Sequence, residues 1–168
     1  MYLDKETYIW EKDRKKLKIS GLDAKINIEK VKAIVEEAGY WRKANAIHKW
    51  FVDNVQEGVD DCKSYYVEKV QLQTLLDTVN EILKDYKYPT DEQTESDDWE
   101  EFYSKGADKK IRKIAEKLLP TESGFFFGET SYDGWYFYQL VNTKKILEEV
   151  IAEIAEQDFS DFYYRASW

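Results

Sequence analysis

The 168-residue sequence carries 34 acidic against 25 basic side chains, a formal charge of -9, and six tryptophans, thirteen tyrosines and eight phenylalanines. This length buries a core without metal or disulfide staples, the lone Cys62 excludes an internal disulfide framework or a cysteine zinc cluster, and the acidity excludes broad electrostatic attraction to nucleic acid or an anionic membrane. No apolar run approaches the ~20 residues of a membrane span, and MYLDKETYIWEKDRKK lacks the order of a secretory signal, so one soluble domain over residues 1–168 in a reducing cytoplasm is expected.

Over the first forty residues, charged stretches mix with short alternating segments. Val31, Ala33 and Val35, alternating with Lys32, Ile34 and Glu36, predict a strand. Tyr40 to Val55 is a predicted helix, because Tyr40, Ala44, Ile47, Phe51 and Val55 recur at four, three, four and four residues as one apolar stripe. GVDDCKS ends that pattern. Leu72, Leu75, Leu76, Val79, Ile82 and Leu83 then share the face of a second helix that must stop before Tyr88-Pro89.

The segment PTDEQTESDD, residues 89–98, has almost no apolar content and is expected as an exposed acidic loop inside the domain. A third helix carries Ile111, Ile114, Ala115 and Leu118 and stops at Pro120. Glycines bracket Phe125 to Phe127 like a short buried strand between turns. The last helix places Tyr136, Leu140, Thr143, Leu147, Val150, Ile151 and Ile154 on one face, and DFSDFYYRASW returns to strand character. The expected fold is α+β, three to four helices packed on a small antiparallel sheet.

YWRKANAIHKWFVDNVQ, residues 40–56, gathers three cations, two tryptophans, a phenylalanine and the chain's one histidine. At about 100° per residue, Trp41, Asn45 and His48 fall on the shoulder of the apolar stripe, with Arg42 and Lys49 just beyond. Guanidinium and ammonium take phosphate, an amide reads a polar edge, and Trp or His stacks on a base, so this helix edge suits an anionic planar ligand. The plainer reading is that Trp41 packs, His48 makes a structural hydrogen bond and the cations pair with the abundant acids.

GFFFGETSYDGW is a second candidate. Gly124, Gly128 and Gly134 permit tight turns, and Thr130, Ser131 and Asp133 suit the cap of the helix that follows. The start of that helix also offers N–H groups to an anion, but the stretch is neither a GxGxxG fingerprint nor a P-loop, and capping is its readier role. In the binding reading Phe126 stacks on the ligand while Tyr132 and Asp133 close the opposite wall.

Enzymatic signatures are sparse. One histidine cannot build a multi-histidine metal centre, although Asp60 and Asp61, or Asp97 and Asp98, leave a carboxylate magnesium site open. Nothing in the sequence places Cys62 beside His48 as a nucleophile pair. No catalytic residue, cofactor or metal is therefore assigned, and binding is favoured over catalysis.

YWRKANAIHKWFVDNVQEGVDDC, LLPTESGFFFGETSYDGWYF and the terminal FYYRASW resemble a widespread family of small tailed-phage proteins of unassigned function, over most of the chain. Gly134 departs from that pattern, where an acid is usual after Tyr-Asp, and so does Arg165, where a small polar residue is usual. The resemblance implies an accessory, anti-defence protein of the host cytoplasm. Joined to the site residues, it leads to the expectation of a protein that sequesters a nucleotide-like host signalling molecule without cleaving it, as a monomer or a homo-oligomer. The second expectation is an acidic interaction protein that blocks a nucleic-acid-binding host defence enzyme. A nucleotide- or phosphodiester-processing enzyme is the third.

Overall fold

The computed structural model describes residues 1–21, 25–123, 129–156 and 160–167. The strand-like segment read near residue 165 becomes the central strand β4 (Ser160–Arg165), and its central neighbour is β1 (Tyr2–Tyr8), for which the sequence offers no strand pattern. Two edge strands, β2 (Ala33–Tyr40) beside β1 and β3 (Ser64–Val67) beside β4, complete a four-stranded sheet of order β2-β1-β4-β3 in which every pairing is antiparallel. The α+β expectation therefore holds, with seven α-helices among the described residues.

Side chains alternate across a strand, and the alternation assigns the two faces. Leu3 and Lys5 of β1, Val67 of β3, and Phe162 and Tyr164 of β4 are buried on the helix side. Their neighbours Tyr2, Asp4 and Glu6, Asp161, Tyr163 and Arg165, and Tyr66 point the other way. The helix-facing side is covered by α2 (Asn45–Asn54) and α7 (Gly134–Glu156): Phe51 stacks on Tyr164 at a ring separation of 3.9 Å, and Lys5 donates to Glu153 at 2.6 Å. Gly39 lets β2 approach α7, since a Cβ there would lie 2.7 Å from the Ile146 methyl.

The second and third expected helices form as α3 (Lys69–Leu83) and α6 (Lys109–Leu118), and all six leucine, valine and isoleucine positions predicted for the face of α3 are buried. Glu68 and Gln71 cap the start of α3 reciprocally. On α7 the expected face is buried at Tyr136, Leu140, Thr143, Leu147 and Val150, while Ile151 and Ile154 are only partly covered.

Four expectations are corrected. The helix read from Tyr40 begins five residues later, at Asn45, because Tyr40 pairs with Tyr2 in the sheet ladder and Lys43 adopts a left-handed backbone with φ of 54° that no helix accommodates. Tyr40 consequently faces outward, 44% exposed, instead of lying in the apolar stripe. The strand expected from Val31 starts at Ala33 and runs to Tyr40, with Val35 the most exposed of its apolar side chains at 62%. The acidic segment is exposed as expected but contains a helical turn, α4 (Asp91–Thr94), closed by reciprocal capping between Thr90 and Gln93. The sequence reading also passed over the short helices α1 (Glu11–Arg14) and α5 (Trp99–Lys105), which are too brief to display a 3.6-residue period. The strand expected at Phe125 to Phe127 lies outside the described residues.

Candidate functional site

The turn from β2 into α2 places the candidate site at one end of the sheet. Trp41 leaves the strand and folds inward, 1% exposed, where its indole N–H donates to Thr143 Oγ1 on α7 at 2.9 Å. Arg42 and Lys43 have no such use and remain exposed. Beside them lies a cavity of about 220 Å³ lined by Met1, Tyr2, Tyr40, Trp41, Arg42, Lys43, Ala44, Asn45, His48 and Ser167. In a chain of charge -9 it contains two cationic side chains and no carboxylate among its described lining. Tyr2 and Tyr40 form its aromatic lip, with ring centroids 5.1 Å apart. The Arg165 guanidinium sits 4.3 Å over the outer Tyr2 ring and is held there by Asp4 at 2.7 Å.

His48, 3% exposed, forms the back wall. Its Nε2 lies 3.2 Å from the Asp60 carboxylate and its Nδ1 lies 2.7 Å from the Tyr164 hydroxyl. A carboxylate only accepts, so the ring proton belongs on Nε2, and Tyr164 O–H donates to Nδ1. Burial is the main influence on His48 and lowers its pKa from 6.5, opposed by the hydrogen bond and charge of Asp60. Burial also raises the Tyr164 pKa well above 10, which keeps the donor proton on the phenol.

The histidine gives the fold a pH dependence of definite sign. Because folding depresses the His48 pKa, the unfolded chain takes up the proton first as pH falls. The associated stability is fully present above about 6.5 and is lost as pH drops from there through the folded-state value. Urea midpoints of the wild type should fall between pH ~7 and ~5 by more than those of His48→Gln. Parallel curves for the two proteins would place the titration elsewhere.

The other expected site residues divide between two sides of Asn45 and His48. Asn45 is buried with both amide ends engaged: Nδ2 donates to the Glu122 carbonyl, and Oδ1 accepts from the Glu122 N–H at 2.6 Å. Lys49 faces a separate cavity of about 250 Å³ that also holds Asp53, Asp60 and Glu122, and it pairs with Asp53 at 2.9 Å and Glu122 at 3.0 Å. Lys49 thus belongs to an acidic surrounding, not to the Arg42 cavity.

Tyr132 accepts a hydrogen bond from the Thr121 N–H at 3.2 Å and leans on Tyr136 at 4.8 Å. Asp133 caps α7, accepting from the Tyr136 N–H at 3.0 Å and from Ser131 Oγ at 2.6 Å. Neither residue lines the Arg42 cavity, so they do not form its opposite wall. Phe126 lies outside the described residues. Trp41 is a core member whose indole is spent on Thr143, and the exposed rings at the cavity are Tyr40 and the partly exposed Tyr2.

Sequence reasoning therefore missed Tyr2, Tyr40, Lys43 and Ser167. The signal for Tyr40 and Lys43 was present, since both stand in the aromatic and basic stretch, but Tyr40 fitted a helical stripe too well. Tyr2 and Ser167 come from opposite ends of the chain, and only the pairing of β1 with β4 brings those ends together.

Among the described residues no group of three or more His, Cys, Asp or Glu side chains is arranged to hold a metal ion, and no helix is long and apolar enough to cross a membrane. Comparison of the chain with protein-family models, with curated proteins and with solved structures gave no match.

Proposed function

We propose that the chain captures a small anionic, planar, nucleotide-like molecule at the Arg42 cavity and does not cleave it. The observation that carries this reading is a cation-bearing, tyrosine-lipped cavity with no carboxylate in its described lining, in an acidic protein. Arg42 and Lys43 take the phosphate, Tyr40 offers a ring face to the base, and the neutral His48 wall supplies shape. At about 220 Å³ the cavity is smaller than the ~300 Å³ at which drug-sized sites begin, so it encloses one nucleotide unit at most, with any remainder over the tyrosines. The wall's imidazole, His48, is engaged at both nitrogens by Asp60 and Tyr164, so it is not free to activate the Ser167 hydroxyl as a nucleophile.

The resemblance to small tailed-phage proteins supports placing this capture in the host cytoplasm, as sequestration of a signalling nucleotide used in defence. The second reading, an acidic protein that blocks a nucleic-acid-binding host enzyme, is favoured by the net charge of -9 and the exposed acids of residues 90–98.

A thermal-shift screen of mono-, di- and cyclic nucleotides tests the capture reading. At a ligand concentration about a hundred times Kd the folded state gains about 2.7 kcal/mol, a rise of about 5–10 °C for a chain of this size. The shift should disappear in Arg42→Ala/Lys43→Ala, whose exposed positions change the unliganded melting temperature little, and should survive in Lys49→Ala. The released ligand should be chemically unchanged. No shift across the panel removes the reading, and a recovered cleavage product moves the protein to the enzymes.

A further inference from the structure

The face of the sheet turned away from the helices carries a charge arrangement that the ligand cavity does not use. Asp4 stands opposite Glu37 across β1 and β2, and Glu6 stands opposite Asp161 across β1 and β4. Like charges directly opposite one another destabilise an antiparallel pair. At the first pair the repulsion is relieved within the chain, because Arg165 bonds Asp4 at 2.7 Å while its guanidinium lies 4.3 Å over the Tyr2 ring. At the second pair no described cation forms an ion pair with Glu6 or Asp161.

The second pair is otherwise built like the first. Tyr163 lies on the same strand two residues from Asp161 and directly opposite Asp4, and Tyr66 meets it edge-on at 5.8 Å with 52% of its surface exposed. Glu6 stands diagonally across the β1–β4 ladder from Tyr163, and Asp161 lies two residues from it on the same face, so both carboxylates neighbour its ring. A tyrosine face flanked by two carboxylates that no described cation pairs is the surrounding that Arg165 fills at Tyr2.

We infer that the Glu6, Asp161, Tyr163 and Tyr66 patch docks an arginine from a basic protein partner, the guanidinium stacking on a tyrosine and pairing with the two opposed carboxylates. Charge complementarity selects the occupant. Among the described strand residues of this face the four acids Asp4, Glu6, Glu37 and Asp161 stand against one arginine, Arg165, a balance that repels a nucleic-acid backbone and favours a cationic surface. Arginine is preferred to lysine because only the planar guanidinium stacks and bridges two carboxylates together. The tyrosines supply the aromatic anchors common at protein interfaces. The inference is independent of the capture reading, since Arg42 and Lys43 lie outside this patch.

The test is fluorescence anisotropy at low ionic strength with a short labelled peptide of alternating arginine and serine, against its lysine counterpart. Three proteins are compared: wild type, Glu6→Gln/Asp161→Asn, and Asp97→Asn/Asp98→Asn, which removes the same formal charge from the exposed acidic segment. The wild type should bind the arginine peptide about ten-fold more tightly than the lysine peptide, and the patch variant should lose about ten-fold while the Asp97/Asp98 variant loses little.

The patch variant should also melt about 1–3 °C higher than wild type, because it relieves the opposed acids. A fall in affinity together with a rise in stability is the mark of charges held for a partner. Equal affinity for the two peptides, equal losses in the two variants, or a lower melting temperature for the patch variant would overturn the inference. So would wild-type dimerisation abolished by the patch substitutions, which would make the occupant a second copy of the chain, or patch-dependent binding of a single-stranded oligonucleotide.

Discussion

Replacing Phe51 with alanine is expected to lower stability by about 3–5 kcal/mol, the usual range for deleting a buried aromatic side chain. The ring is completely buried and touches each layer of the molecule near the cavity. It stacks on Tyr164 of β4 at 3.9 Å with planes 6° apart, meets Trp50 edge-on at 5.3 Å, and lies 5.8 Å from Trp41. Rings held this way contribute beyond their buried area. Tyr164 donates to His48, and Trp41 is tied to Thr143, so the void left by Phe51 opens directly beneath the cavity wall. The neighbours cannot collapse into it without breaking one of those hydrogen bonds, which places the expected cost toward the upper end. Urea denaturation at neutral pH measures it. A loss below about 1 kcal/mol would mean that the stack contributes little and that the cavity wall is held by the hydrogen bonds alone.

Phe51, Ala44 and Ile47 show what the sequence made legible: once a segment is helical, the 3.6-residue period assigns the buried face, and it did so for α2, α3 and α7. The start of α2 was not legible, because Tyr40 satisfies the period by coincidence while its backbone is committed to the ladder with Tyr2, thirty-eight positions away. Strand pairing is a long-range property that no local window contains. For the same reason β1 did not stand out. Lys5 sits on its buried side and is satisfied by Glu153 at 2.6 Å and Glu36 at 3.6 Å, contributed by α7 and β2.

The candidate site followed the same division. The stretch at residues 40–56 located the right region, and Arg42, Asn45 and His48 do meet around one cavity. Their roles depended on partners from elsewhere. Glu122 takes both ends of Asn45 and pairs with Lys49, while Asp60 and Tyr164 take the two nitrogens of His48. An acid-rich chain has carboxylates to spare for such pairing, and only the fold decides which cations they reach.

The close approach of α5 to α7 leads to the second large effect, a loss of about 3 kcal/mol in Gly134→Ala. Gly134 opens α7, and a Cβ built on it would run into the carbonyl oxygen of Glu100 in the first turn of α5. Helix propensity alone predicts the opposite sign, since alanine is favoured over glycine by up to ~1 kcal/mol inside a helix, though by less at its first residue. The steric effect wins because the obstacle is backbone and cannot swing aside as a side chain would.

Relief requires α5 to move, and α5 is held by aromatic contacts: Trp99 meets Trp135 at 5.8 Å and Tyr138 at 5.4 Å, and Tyr103 meets Tyr138 at 5.4 Å. The methyl group must therefore either compress the helix starts or pull this cluster apart. In both cases the melting temperature should fall by about 6–12 °C, and the near-ultraviolet circular dichroism of the Trp99 and Trp135 pair should weaken. The disturbance also reaches the cavity, because the Trp135 indole donates to the Lys43 carbonyl at 3.3 Å, so nucleotide binding should weaken along with stability. A variant that melts higher than the wild type with the aromatic signal intact would show that propensity prevails and that α5 is not seated against α7 at Gly134.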